Sequence, residues 1–429
     1  MRRKHFAFVA ALGALVLLAG IAASVTHGKS EKGKQTAAPS GTVTLAGWSV
    51  STVESALLKQ VIKGFERKYP RIKVDYSALG DYDRAMLAKF SARQPPDVFY
   101  VDSNRAPTWI KQGVLEPLDS YIKKAKFPVS PFYSKLMDAF RVKGKAFRVK
   151  GKVSARKIYG FPKDWSPLGM QINTEMLAKA GIKAPTTWAQ LRSAAQRLKS
   201  RNAVPNGKPI CLAADWARIL AFVYQNKGSF LNASKTKATV DTPAVKGAID
   251  FYLSLMKADL LDIPAKLGSD WCGEALGKEK AAIIFEGNWL VPYMVEKFPD
   301  VGYKTFPMVK GKQQGNVAYT VAYGIGRNSK NKEAAFTLLS YLVGKVGMKT
   351  WTSKGLALPS RKDVKPVAGR AAFLKAAPYA RPWQFAAGFD KVMTVAGNEF
   401  SAVVEGKQTV SAMLKKIQDE ANATLRRGG

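Results

Sequence analysis

Histidine is nearly missing from this chain. His5 and His27 are the only two among 429 residues, so the body after the N-terminal segment has none. That absence removes a Ser/His/Asp or Cys/His triad, a His-based zinc site and most His general-base chemistry. Cysteine is as scarce: Cys211 and Cys272 are too few for a four-cysteine zinc site or an iron–sulfur cluster. A pair in an exported chain is expected to form one disulfide, the other reading being two buried apolar thiols. No glycine-rich phosphate loop is present. The nearest stretch, "GIGRNS" at Gly324–Ser329, lacks a third glycine and reads better as a strand entering a loop. No cofactor and no metal are expected.

Acidic residues are also few: 31 Asp and Glu stand against 68 Lys and Arg, a formal net charge of +37. Such a balance attracts anions such as phosphate backbones, anionic lipid surfaces and acidic polysaccharides, but says nothing of fold. The cations are spread along the whole chain, and without the first 41 residues the balance is still about +32. A nucleic-acid reader would gather them on one stripe with interleaved aromatics, so no nucleic-acid partner is expected. The densest run is the tandem "FRVKGKAFRVKGKV", Phe140–Val153, which extended to Lys157 carries eight cations and no acid. Its alternation, with Phe140 and Val142 on one face and Arg141 and Lys143 on the other, suits β structure. Lysine and arginine on an edge also discourage strand-to-strand aggregation.

What is present is the material of a globular protein: 47% hydrophobic residues and nine Trp. The start, "MRRKHFAFVAALGALVLLAGIAAS", joins a basic n-region to an apolar run ending in small residues, as an export signal does. The run is long enough to serve as an uncleaved anchor as well. "LLAGI" at Leu17–Ile21 is similar to a bacterial lipobox with Ile21 where the lipid-bearing Cys would stand, so lipidation by that route is excluded. Residues 28–41 read as a flexible linker. Beyond it, "GTVTLAGW" alternates like a strand, and Val53, Leu57, Leu58, Val61, Ile62 and Phe65 keep a helical period. A strand over Ile72–Tyr76, a helix over Tyr82–Ser91 and a strand ending at Asp102 follow. A second strand-and-helix series begins near Ile158, which together argues for a mostly parallel α/β sheet in each part.

The ordered landmarks "FERKYPRIKVDY", "PPDVFYVDSNRAPTWIKQGVLEPLDSYI", "IYGFPKDWSPLGMQINTEMLAKAGIKAPTTWAQL", "KEKAAIIFEGNW", "YGIGRNSKNKEAAFTLLSYL", "KGLALPSR" and "VVEGKQTVSAMLKKI" resemble one family. It is that of the extracellular solute-binding proteins of carbohydrate ABC importers, which includes maltose-binding protein. The resemblance covers about residues 42–425. It implies an α/β, two-lobe periplasmic-binding-protein-like fold (type II), with hinge-crossing strands and a ligand cleft between lobes. The expected organisation is an export signal or anchor over 1–27, the linker, then lobe 1 over 42–157 and lobe 2 over 158–306. Lobe 1 resumes over 307–357, and lobe 2 closes with a helical segment over 358–429. In the same pattern, residues 140–157 are a lengthened basic hairpin. The resemblance also implies an exported monomer that takes a carbohydrate and meets ABC permease subunits in the membrane.

Sugar recognition needs aromatic faces for the C–H side of the ring and planar polar groups for the hydroxyls. Candidates stand where strands run into loops, the usual ligand edge of open α/β sheets. They are Trp48 and Ser49, Asp81 and Tyr82, Asp102 and Ser103, Asp164 and Trp165, and Asp215 and Trp216. Gly287 and Trp289, Tyr323 and Gly324, and Arg381 and Trp383 complete the set. By the family pattern Asp102 and Asp164 would accept hydroxyl hydrogen bonds. Trp289, Trp216 and Tyr82 would stack, and Arg381 would bridge hydroxyls. Trp109, Trp188, Trp271 and Trp351 read as core or surface-cap aromatics. No catalytic residue is expected. Two other classes compete: a glycan-active enzyme, needing two carboxylates facing one bond, and a basic surface protein for acidic polymers.

Overall fold

The computed structural model describes residues 39–49, 51–142 and 157–428. In chain order the strands are β1 (Gly41–Gly47), β2 (Ile72–Ala78), β3 (Val98–Asp102), β4 (Arg141–Val142), β5 (Lys157–Ile158) and β6 (Phe161–Pro167). They continue as β7 (Gly169–Asn173), β8 (Lys208–Cys211), β9 (Leu261–Asp262), β10 (Ala281–Glu286), β11 (Tyr303–Phe306), β12 (Asn316–Ile325) and β13 (Ala380–Pro382).

These strands form two main sheets. The first has the order β13-β12-β3-β1-β2, with β6 also on β12; the second runs β11-β7-β10-β8-β9. β1 pairs parallel with β2 and β3, and β8 parallel with β9 and β10, as strand–helix–strand alternation predicts. Three of the five pairings in the first sheet are parallel, β12 with β13 being the third, and two of the four in the second, so both sheets are mixed. β12 runs antiparallel to both β3 and β6, and β7 antiparallel to β10 and β11. The antiparallel partners are the returning strands, whose direction local periodicity does not encode.

Two large groups of buried side chains follow from this. One packs β1, β3 and helix Thr52–Lys68 with residues up to Phe161, and resumes from Ala322 to Val364. The other runs from Leu168 to Val317 and resumes from Phe385 to Ala421. The chain therefore crosses between cores within 161–168, 317–322 and 364–385. β6 and β12 are the first two crossings, paired side by side. Every residue of β6 is buried, since each face of the crossing strand is covered. The disulfide Cys211–Cys272 joins the end of β8 to the start of helix Cys272–Gly277, inside a smaller core with Leu276, Ile284 and Met294.

Local chemistry accounts for the helices. Ser51 caps Thr52–Lys68 by accepting from Glu54 N, and Leu57, Leu58, Val61, Ile62 and Phe65 bury one stripe. Thr187 caps Trp188–Ser200, and Asp81 caps Tyr82–Ser91. The C-terminal pair, Phe389–Val404 and Val410–Arg426, buries Phe400 against Ile417 and its neighbours in the second core. The tandem repeat is entered by β4 and left by β5, which pair antiparallel as Arg141↔Ile158 and Val142↔Lys157. Residues 143–156, the rest of the expected hairpin, lie outside the described residues. So does the N-terminal stretch 1–38, including the expected signal or anchor. Among the described residues no helix is long and apolar enough to cross a membrane.

Candidate functional site

The crossing strands floor a cleft of about 530 Å³. Both cores contribute walls: Trp48, Glu54, Asp102, Trp351 and Leu356 from one side, Trp271, Trp289, Tyr293, Glu296 and Lys297 from the other. Between them lie Lys163, Asp164 and Ser166 of β6 and Tyr319, Thr320 and Val321 of β12.

A β-bulge shapes this floor. Asp164 pairs with Val321 and Pro162 with Ala322, so Lys163 is an extra residue with no partner of its own. In a regular strand Lys163 and Asp164 would point to opposite faces; a bulge turns neighbouring side chains to the same side. Lys163 Nζ accordingly meets Asp164 Oδ2 at 2.6 Å, with the two side chains only 5% and 11% exposed. The indole Nε1 of Trp351 donates to the same oxygen at 2.7 Å. The ammonium stands over two rings, 4.0 Å from the Trp351 centroid and 4.8 Å from that of Tyr100. Thr320 Oγ1 donates to the Asp164 carbonyl at 2.7 Å and fixes the crossing backbone. On the other face of β6, Trp165 points away from the cleft and donates to Pro359 O.

The opposite wall is organised by a buried carboxylate. Glu286 ends β10 with its side chain 2% exposed, paired to Arg218 Nη2 at 2.9 Å. Burial pushes the Glu286 carboxyl up, and Arg218 opposes that. Burial disfavours the Arg218 charge, yet Glu286 and then Asp215 outweigh it and hold its pKa above the ordinary value. Glu286 Oε2 also accepts from Trp289 Nε1 at 3.0 Å, which pins the indole. The ring meets Tyr319 edge-on, centroids 5.3 Å apart, and Tyr319 is tied by its hydroxyl to Ala217 O. A Cβ at Gly287 would lie 2.2 Å from the Trp289 ring, so only glycine lets the indole fold back this closely. Farther out, Trp271 and Tyr293 make a second edge-on pair at 4.8 Å.

On the first wall Trp48 rests edge-on against Tyr82 and Tyr100, each 4.9 Å away. Asp102 ends β3 with its Oδ1 accepting from Asn104 N at 3.0 Å. Burial pushes its carboxyl up to about 6, against that hydrogen bond and the nearby Arg105. Among the described residues no group of three His, Cys, Asp or Glu side chains is placed to hold a metal.

Of the sixteen residues expected from the sequence, Trp48, Asp102, Asp164 and Trp289 line the cleft together. Others stand behind it. Tyr82 donates to Tyr100 O and backs Trp48. Gly287 seats Trp289. Asp215 caps helix Trp216–Gln225 and holds Arg218 at 3.1 Å. Ser49 bonds Ser51 O and Ser55 Oγ beside the helix start. Ser103 is buried and donates to Trp383 O, and Trp383 packs between Tyr319 and Phe385. Tyr323 and Gly324 are packed in the first core, the one against Tyr100 and the other against Leu115 and Val101. Asp81 caps its helix at the surface. The structure does not bring Trp216 to the cleft: its indole is buried and donates to Ala396 O. Arg381 lines a different cavity, over the Tyr224 ring.

Two tryptophans read from sequence as core, Trp271 and Trp351, line the cleft, while Trp109 and Trp188 are packed as expected. Lys163, Ser166, Tyr319, Thr320 and Tyr293 were not singled out by sequence. The adjacency of Lys163 and Ser166 to Asp164 was the available signal, and strand alternation argued against Lys163.

Against known proteins, residues 49–349 match the model of the bacterial extracellular solute-binding protein family. A binding protein of Brucella abortus is 24% identical over 402 residues, 90% of this chain and 93% of that one. The multiple sugar-binding protein of Streptococcus mutans is 21% identical over 360 residues, 79% of each chain. An ABC substrate-binding protein of Listeria monocytogenes, solved with cycloalternan, superposes with a TM-score of 0.80 at 22% identity, covering 90% of this chain and 99% of that one. The two sheets, their crossing strands and the intervening cleft are thus those of a type II periplasmic-binding-protein fold. With a matched region of that extent on this fold, the chain belongs to the bacterial extracellular solute-binding protein family.

Proposed function

We propose that the protein captures a sugar or oligosaccharide in this cleft and delivers it to an ABC-type permease. The carrying observation is the pairing, in one cleft, of upright aromatic rings with buried, pre-oriented carboxylates. Rings of Trp48 and Trp289 offer apolar faces for the C–H side of a pyranose. Asp102, Asp164 and Glu296 accept from hydroxyls, and Lys163 donates. These are the groups a neutral polyol needs. The relatives named for sugars lend the same reading support.

Capture works through lobe closure. A ligand touching both walls favours the form in which they approach, shifting the open–closed population. β6 and β12 are the hinge strands of that motion. The closed complex docks on permease subunits, and the protein acts as an exported monomer held or released by its N-terminal stretch. It performs no turnover: Asp102 and Asp164 bind hydroxyls rather than cleave a glycosidic bond.

A thermal-shift screen against mono- and oligosaccharides tests the reading. A ligand present at a hundredfold its dissociation constant stabilises by about 2.7 kcal/mol. Shifts with peptides and none with carbohydrates would change the cargo class. Products appearing from an oligosaccharide would make the protein an enzyme.

A further inference from the structure

A second cavity, of about 680 Å³, opens between the turn after helix Trp216–Gln225 and the crossing stretch that carries Arg381. It shares no lining residue with the cleft. Three cations, Lys227, Lys235 and Arg381, line it, and no Asp or Glu does. Among the described residues none of the three is engaged in an ion pair, although twenty such pairs are formed elsewhere.

Lys235 and Arg381 are held in place by something other than a counter-charge. Lys235 Nζ donates to Gln384 Oε1 at 2.7 Å and to Phe385 O at 3.4 Å. Burial without an opposite charge pulls its pKa down to about 8. The Arg381 guanidinium lies 4.5 Å from the Tyr224 ring centroid, a cation–π contact that sets its direction. Lys227 follows the helix end at φ +67°, a left-handed position where glycine would be free of strain. The 15-residue helix Pro243–Lys257 starts at the rim through Thr242 and Ala244 and adds the positive end of its dipole. Lys235, half-buried without a counter-charge, is costly to keep charged, and an anion entering the cavity relieves that cost, with the exposed Lys227 and Arg381 adding their charge. Three cations suit a dianion better than a single carboxylate, and the space exceeds what a bare phosphate fills.

We propose that this cavity is a second ligand site, taking the phosphoryl group of a small organic phosphate ester. The site is independent of the sugar reading of the cleft. Calorimetric titration of the full chain at fixed chloride concentration tests it, with glucose 6-phosphate, inorganic phosphate and glucose as probes. Glucose 6-phosphate should saturate one site. Affinity should fall at least tenfold in the double variant Lys227→Met/Lys235→Met and stay within threefold in Lys235→Arg, with melting curves confirming that both variants fold. Heat that glucose reproduces belongs to the cleft and counts against the proposal. Inorganic phosphate binding as tightly as the ester would overturn the ester in favour of the free anion. Absence of saturable heat, or binding undiminished in the double variant, would overturn the site itself.

Discussion

Replacing Lys163 by Met removes the ammonium from the cleft floor while keeping most of the side-chain volume. The Asp164 carboxylate, its side chain 11% exposed, then keeps only the Trp351 indole N–H as a donor to Oδ2. Breaking a buried pair by deleting one partner costs about 3–5 kcal/mol, because a charge is left buried without compensation. The cation–π contacts of Lys163 with Trp351 and Tyr100 are lost as well. For a chain of this size each kcal/mol lowers the melting temperature by roughly 1 °C, so Lys163→Met should melt about 3–5 °C below the wild type. The double variant Lys163→Met/Asp164→Asn removes the charge along with its partner. It should recover more than half of the loss, giving a coupling of about 2 kcal/mol in a double-mutant cycle. Melting of all four proteins by circular dichroism without ligand supplies the cycle. A Lys163→Met protein that melts within 1 °C of wild type, with no coupling to Asp164, would refute the bulge-built ion pair as a stabilising floor.

The Trp289→Ala variant should bind sugar about ten- to a hundredfold more weakly, the loss expected when a buried aromatic anchor is truncated; unchanged affinity by calorimetry would take Trp289 out of the site. Asp102 carries a folded-state pKa raised to about 6 from 3.8, so the folded form holds its proton more tightly than the unfolded one. The stability it contributes is therefore full below about pH 4 and lost as the pH rises through 6. Wild type should gain on Asp102→Asn in melting temperature between pH 7 and pH 5. A sugar hydroxyl that donates to the ionised carboxylate should bind about tenfold more weakly at pH 5 than at pH 7, and a flat profile would exclude Asp102 as an acceptor. The disulfide closes a loop of 61 residues, worth about 4 kcal/mol in the chain-entropy account. Cys211→Ala/Cys272→Ala should melt several degrees lower, and the wild type should fall to the same value under reductant.

Local patterns carry far in this chain. Helix Tyr82–Ser91 has the bounds expected from the sequence, and strand β10 follows from its unbroken apolar run. Trp48, Asp102 and Trp289 were legible because each ends a strand or stands in the turn after one, where main-chain geometry alone directs a side chain to the sheet edge. Asp164 instead lies in the middle of β6, not at a strand end, and was legible through the family likeness. Trp216 occupies an equivalent place in sequence, directly after the capping Asp215. Its indole nonetheless turns inward to Ala396 O, since the packed helix Phe389–Val404 offers it a buried acceptor.

The sequence by itself determined the removal of histidine and metal-cluster chemistry and the order of helices and strands, which rest on composition and short-range spacing, and the family likeness, which rests on the ordered landmark segments. Tertiary structure alone decided the direction of β6 and β12 and the bulge that turns Lys163 beside Asp164. It also drew Trp351 from the end of its helix to that carboxylate. Those outcomes depend on pairings between residues more than a hundred and fifty positions apart, and no local periodicity encodes which distant strand will supply the partner or where its register will slip.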